Sequence, residues 1–176
     1  MEKELRDRIE IVEGDITKME VGAIINAANT SLLGGGGVDG AIHSAAGPEL
    51  LNETRKIGGC PTGEARVTKG YRLPARWIIH TVGPIWSGGK GDEDELLASC
   101  YRNSFKAAVE IGAVTVAFPS ISTGAYRFPL ERALNIASRE TKSFLQTNQS
   151  INKVIFVCFG SEVYKKYQEV FKKVFN

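Results

Sequence analysis

Six short stretches of the chain, at residues 9–13, 23–27, 65–69, 77–82, 114–119 and 153–159, are mostly rich in Val, Ile or aromatic residues and bounded by Gly, Pro or Asn. That pattern predicts six strands. A longer period appears after the fourth. Over residues 93–111, Leu97, Tyr101, Phe105 and Ala108 recur every three to four positions, and Asp92 followed by Glu95 has the spacing of a capping box. Pro129 suits the first turn of a further helix, whose Ala133, Leu134, Ala137, Thr141 and Leu145 form a stripe. Ser161 is placed to cap a last helix carrying Val163, Tyr167, Val170 and Val174, and shorter helices are expected at 39–46 and 48–57. Strands alternating with helices imply an α/β fold, a largely parallel sheet between helical layers that binds ligands outside the carboxyl ends of its strands.

Composition narrows the class. The 176 residues, 43% of them hydrophobic, suffice for one domain with a full core, and no repeat, linker or low-complexity segment divides them. Lys and Arg number 22 against 20 Asp and Glu, which gives no electrostatic case for a nucleic-acid partner. The basic residues Lys165, Lys166, Lys172 and Lys173 alternate with apolar ones, as on the wet face of a helix. No apolar run reaches the roughly 18 residues that span a bilayer, and the charged start MEKELRDR lacks the apolar core of a signal peptide. A cytosolic protein with no membrane partner is expected. Cys60, Cys100 and Cys158 are odd in number and widely spaced, which fits reduced thiols better than disulfides.

The chemistry concentrates in loops. Residues 26–47 read NAANTSLLGGGGVDGAIHSAAG: two carboxamides, four consecutive glycines and the carboxylate of Asp39 before an Ala-rich, helix-forming run. Glycine lets backbone amides come close to an anion, and a helix N-terminus adds unpaired N–H groups and a positive dipole end. A carboxylate at that mouth would compete with a bound phosphate unless it has another task. Gly35 to Gly40 match GxGxxG, but the tight strand–turn–helix and the following acid of a dinucleotide fold are missing, and no Gly-Lys-Ser/Thr makes a P-loop. The stretch SISTGAY at 120–126 follows a predicted strand and offers hydroxyls, amides and a glycine as a second wall around the same phosphates. In GDIT at 14–17, Asp15 either caps a short turn or accepts a hydrogen bond from an exocyclic amine such as that of adenine. His43, His80 and Cys60 show no paired metal-ligand spacing; His43 falls one turn after Asp39, and His80 closes a strand, where a bond to backbone is expected. Ser120 and Ser122 have no evident histidine and acid relay.

Taken together, GDIT at 14–17, NAAN at 26–29, GGGGVDGAIH at 34–43, HTVGP at 80–84 and the segment 118–129 resemble a macrodomain of the MacroD-like class. The resemblance runs over nearly the whole chain, so residues 1–176 are expected to form a single macrodomain. It implies a three-layer α/β/α sandwich around a mixed, largely parallel six-stranded sheet. Macrodomains bind ADP-ribose, and this class removes ADP-ribose from acidic side chains and deacetylates O-acetyl-ADP-ribose.

Carried over by position, the resemblance implies that Asp15 reads the adenine amine and that Ile16 lends its backbone nearby. Gly36, Gly37 and Val38 would wrap the diphosphate from one side, with Ser122, Thr123, Gly124, Ala125 and Tyr126 on the other. Tyr126 would also lean on the distal ribose. Phe159 would stack on adenine or serve as a core aromatic. Asn26 would brace the loop, and Asn29 and Asp39 match the pair to which hydrolysis is assigned. A positioned carboxylate contributes about 10²–10⁴-fold as a general base, and Asn29 can fix ribose hydroxyls without repelling the diphosphate. Asp39 could take its proton from water or through a substrate hydroxyl, in a substrate-assisted step that needs no metal and no cofactor. Two function classes follow: a hydrolase acting on ADP-ribose derivatives and mono-ADP-ribosylated proteins, or a non-catalytic reader of ADP-ribose.

Overall fold

The computed structural model describes residues 2–176. All six predicted strands form: β1 (Ile9–Glu13), β2 (Ala23–Ala27), β3 (Ala65–Lys69), β4 (Trp77–Thr81), β5 (Thr115–Phe118) and β6 (Lys153–Cys158). They make one sheet in the order β1-β6-β5-β2-β4-β3. Every pairing is parallel except that of β3 with β4. The helices are α1 (Glu2–Asp7), α2 (Gly37–Ala46), α3 (Pro48–Ile57), α4 (Glu93–Glu110), α5 (Leu130–Thr147) and α6 (Ser161–Val174), with a 3-10 turn at Ile16–Lys18. The expected mixed α/β sandwich is therefore what the chain builds.

Alternation along the strands explains the layering. Successive side chains of a strand point to opposite faces, so a strand covered on both sides reads as a continuous apolar run. Ile25, Ile79, Val116, Phe118, Val154 and Phe156 pack with residues of α4, α5 and α6 on one face. Their neighbours Ile24, Ile78, Ala117 and Ile155 pack with Ile42 and Ala46 of α2 and Leu50 of α3 on the other. On that second face two alternating positions are polar, Asn26 and His80, and both are fully buried.

Several boundaries differ from the sequence expectation. β5 ends before Pro119, which has no N–H to offer a ladder, and β6 ends before Phe159 because Gly160 turns the chain at φ +100°. The cap of α6 is Gly160 rather than Ser161. Asp92 does occupy the N-cap of α4 but makes no side-chain capping bond, and Glu95 bonds Arg102 instead of closing a box. α2 starts at Gly37, two residues earlier than the Ala-rich run suggests.

Candidate functional site

Because β1, β6, β5 and β2 run parallel, their carboxyl ends and the loops that follow share one edge of the sheet. Glu13 pairs with Cys158, so Asp15 and Phe159 leave the sheet at adjoining positions. The 119–129 loop follows β5, and the glycine loop follows β2. Parallel pairing thus gathers segments that lie more than a hundred residues apart in sequence.

In the glycine loop, α2 begins with Gly36 as N-cap and Gly37, Val38 and Asp39 as its first turn. The first helical bond runs from the Gly40 amide to the Gly36 carbonyl, so the amides of Gly37, Val38 and Asp39 precede it and have no partner within the helix. A Cβ on Gly40 would stand 2.4 Å from the Gly35 carbonyl oxygen. The loop can fold back over the helix only because that position lacks a side chain. Asn29 shapes the same loop: its Nδ2 donates to the Gly34 carbonyl at 2.9 Å, and its Oδ1 accepts from Ser31 Oγ and the Leu32 amide. One N–H of its carboxamide is left over. A Cβ on Gly35 would touch Asp39 Oδ2 at 3.3 Å and Asn29 Nδ2 at 3.4 Å, so these two groups flank one small gap.

Asp39 is buried and held from beneath. Asn26 Nδ2 donates to Asp39 Oδ1 at 2.8 Å and to His80 Nδ1 at 3.1 Å, while His80 Nε2 lies 2.9 Å from Thr68 Oγ1. His43 Nε2 stands 3.5 Å from the same Asp39 oxygen. Burial is the main reason that His80 stays neutral, its pKa pushed down to about 3, with His43 nearby adding to the effect. The His80 ring bonds side chains and not backbone, and the Asn26 side chain bonds Asp39 and His80 rather than the loop. The sequence held a signal for this: Asn26 and His80 are the polar interruptions of the runs AIINA and WIIHT, and parallel pairing makes them register partners.

The second loop carries strain. Ser122 at φ +65° and Arg127 at φ +60° adopt the left-handed conformation, as Leu32 does at φ +60° in the glycine loop. Non-glycine residues in that region cost energy and cluster at ligand sites. A Cβ on Gly83 would meet Ser122 Oγ at 2.0 Å, so HTVGP packs tightly beneath this loop. Ser122 is buried with its hydroxyl unpartnered, whereas Thr123 shares a 2.6 Å bond with Ser120. The Tyr126 carbonyl accepts from the Trp86 amide. Tyr126 and Thr30, the neighbour of Asn29, line one open cleft of about 460 Å³ together with Pro84 and Ile85. Gly124 and Ala125 form the exposed tip of the loop.

At the far end, Asp15 caps the 3-10 turn, accepting from the Thr17 amide at 2.9 Å and hydroxyl at 2.7 Å through one oxygen. These bonds, the hydroxyl first, hold its carboxyl below the usual range. Its second oxygen receives neither. Ile16 is buried in the α2-side core, while Phe159 is 94% exposed and so is not a core aromatic. Among the described residues, no three His, Cys, Asp or Glu side chains come together in a way that could hold a metal, and no helix is long and apolar enough to cross a membrane.

The chain matches known proteins over this whole arrangement. The model of the Macro domain family matches residues 25–137. A macro domain-containing protein of Methanosarcina mazei is 58% identical over 168 residues, 96% of this chain and 90% of its own. The ADP-ribose glycohydrolase MACROD2 of Xenopus laevis is 50% identical over 97% of this chain, which spans 41% of that longer protein. A solved mutant macrodomain of Oceanobacillus iheyensis, with ADPR, superposes with a TM-score of 0.92 at 47% identity, covering 97% of this chain and 95% of that one. The chain belongs to the macro domain family and is a MacroD-like macrodomain.

Proposed function

We propose that this chain is a hydrolase of ADP-ribose derivatives that removes ADP-ribose from modified acidic side chains and deacetylates O-acetyl-ADP-ribose without a metal. Asp39 carries the reading. One of its oxygens is tied by Asn26, while the other faces a gap shared with Asn29 at the start of α2. The similarity to a glycohydrolase and to a macrodomain solved with ADPR supports both ligand and reaction. The diphosphate rests on the amides of Gly37 and Val38, which have no partner within the helix, and on those of Ser122 to Tyr126. Asp15 uses its unbonded oxygen for the adenine amine, and Phe159 stacks on the base.

At the distal ribose, the remaining N–H of Asn29 orients a hydroxyl and Asp39 Oδ2 takes a proton from it or from water. Water attacks the ester carbon and gives up one proton to Asp39, directly or through that hydroxyl; the ester C–O bond breaks, and that proton passes from Asp39 to the leaving oxygen. Asn29 also supplies the reason for a second reading. Most of its bonding capacity is spent inside its own loop, as expected if it shapes a binding surface for a non-catalytic reader. Incubation with a protein mono-ADP-ribosylated on Glu or Asp separates the two: release of ADP-ribose that is lost in Asp39→Ala is expected, and tight binding without release would establish the reader.

A further inference from the structure

Beneath Asp39 runs a chain of side chains that crosses three strands: Thr68 of β3, His80 of β4 and Asn26 of β2. Its proton positions follow from geometry. Asn26 turns Nδ2, which can only donate, to His80 Nδ1 at 3.1 Å, so with Nδ1 accepting, Thr68 Oγ1 accepts from Nε2 and gives its own hydrogen to the Lys69 carbonyl at 3.1 Å. The proton of the neutral ring therefore sits on Nε2 and leaves Nδ1 bare. Nδ2 of the Asn26 carboxamide supplies one hydrogen to His80 and the other to Asp39 Oδ1. Asn26 Oδ1 is left buried with no partner. A flipped carboxamide could bring that oxygen to a bond only by turning it against the carboxylate. The arrangement gives up one acceptor to keep an N–H on Asp39.

We propose that His80, fixed as its Nε2–H tautomer by Thr68, is a positioning residue that holds the Asn26 carboxamide and through it aims Oδ2 of Asp39 at the reacting centre. This rests on the hydrolase reading given above, in which Asp39 takes the proton. His80 is fully buried and acts only by denying Asn26 its other orientation. Without the Thr68 hydroxyl the ring is free to move its proton to Nδ1. Asn26 must then present oxygen to both neighbours or lose one of them, and the carboxylate is released.

The test uses the full chain, which has only two histidines and so gives a simple ring spectrum. Nitrogen-15 NMR of the unmodified protein should show one histidine ring with a protonated Nε2 and a bare Nδ1 that stays neutral at pH 6. An Nδ1–H tautomer there would overturn the proposal even if no turnover were measurable. Thr68→Val keeps the shape of a fully buried position and removes the hydroxyl; it should lower the single-turnover rate of ADP-ribose release by about 10- to 100-fold, the effect of a small misplacement of a reacting group. Affinity for ADP-ribose should change much less. Thr68→Ser loses a buried methyl but keeps the acceptor, and should restore the rate although the protein is less stable. Full activity in Thr68→Val, or equal losses in the Val and Ser variants that follow stability, would show that the chain is only structural. Asp39→Ala run alongside separates the two readings: full activity there removes Asp39 as base, while an inactive Asp39→Ala with a fully active Thr68→Val removes only His80.

Discussion

At the scale of single residues, the site is a set of groups with one hand occupied. Asp39 has one oxygen bound and the other facing Asn29, and Asp15 has one oxygen bound by Thr17. If Asn29 orients the ribose while Asp39 takes the proton in one transition state, Asp39→Ala and Asn29→Ala should each lower kcat by at least about 10²-fold. The double variant should lose far less than the product, because residues acting as a unit are not additive. Single-turnover kinetics on the three variants checks this, with calorimetry showing a much smaller change in affinity. Asp15→Ala should weaken ADP-ribose binding by about 1.5–3 kcal/mol, the value of a charge-assisted hydrogen bond; unchanged affinity in calorimetry would take Asp15 out of the site. Asp39 stands out in the sequence because a carboxylate at the mouth of a glycine-rich loop needs a purpose, and Asp15 because GDIT at 14–17 leaves it either to cap a turn or to accept from an exocyclic amine. The partners of Asp39 do not, since Asn26 and His80 lie 54 positions apart and meet only once β2 and β4 pair.

At the scale of elements, strands were readable because Val, Ile and aromatic runs declare burial on two faces, and α4, α5 and α6 because their apolar residues keep a helical period. α1 leaves no periodic signal because Leu5 is its one apolar residue and its contact is with a distant core. Caps were the least readable feature. The carboxylate of Glu93, the first residue of α4, accepts from the amides of Ser87, Gly89 and Gly91 and so ties the preceding loop to the helix. Those amides, that of Gly89 first, hold its carboxyl below its ordinary value of 4.5. A depressed carboxyl stabilises the fold above the unfolded value and stops doing so as pH falls through the folded one. Glu93→Gln should therefore lower Tm at pH 7, and the gap to the unmodified protein should narrow below about pH 4.5 in calorimetric scans. The contact of α2 with its own loop gives a sharper test. Gly40→Ala would improve helix propensity, yet its methyl meets the Gly35 carbonyl oxygen at 2.4 Å. Backbone must move to admit it, so a loss of about 1–3 kcal/mol is expected in urea unfolding, together with weaker ADP-ribose binding. A more stable Gly40→Ala would mean that the loop is free to retreat.

At the scale of the whole molecule, the buried polar chain sets how stability responds to acid. His80 is neutral in the fold, with its pKa near 3, and returns to an ordinary 6.5 when the chain unfolds. Between those values the unfolded state binds the extra proton. Its share of the stability is complete above pH 6.5 and falls as pH drops, by at most about 1.4 kcal/mol per pH unit. Urea unfolding at pH 7, 6 and 5 should show that decline before carboxylates begin to titrate, and a flat profile would contradict it. The strand order has a consequence of another kind, for synthesis. β6 lies between β1 and β5, and its residues 153–158 are made about 140 positions after those of β1. A ribosome adding roughly 5–20 residues per second takes about 7–28 s to cover that distance. Throughout that interval β1 has no strand to pair with, and the corner that carries Asp15 and Phe159 cannot exist. That corner is thus completed only once β6 has been made, and a nascent chain stalled before residue 153 would carry Asn29 and Asp39 without it.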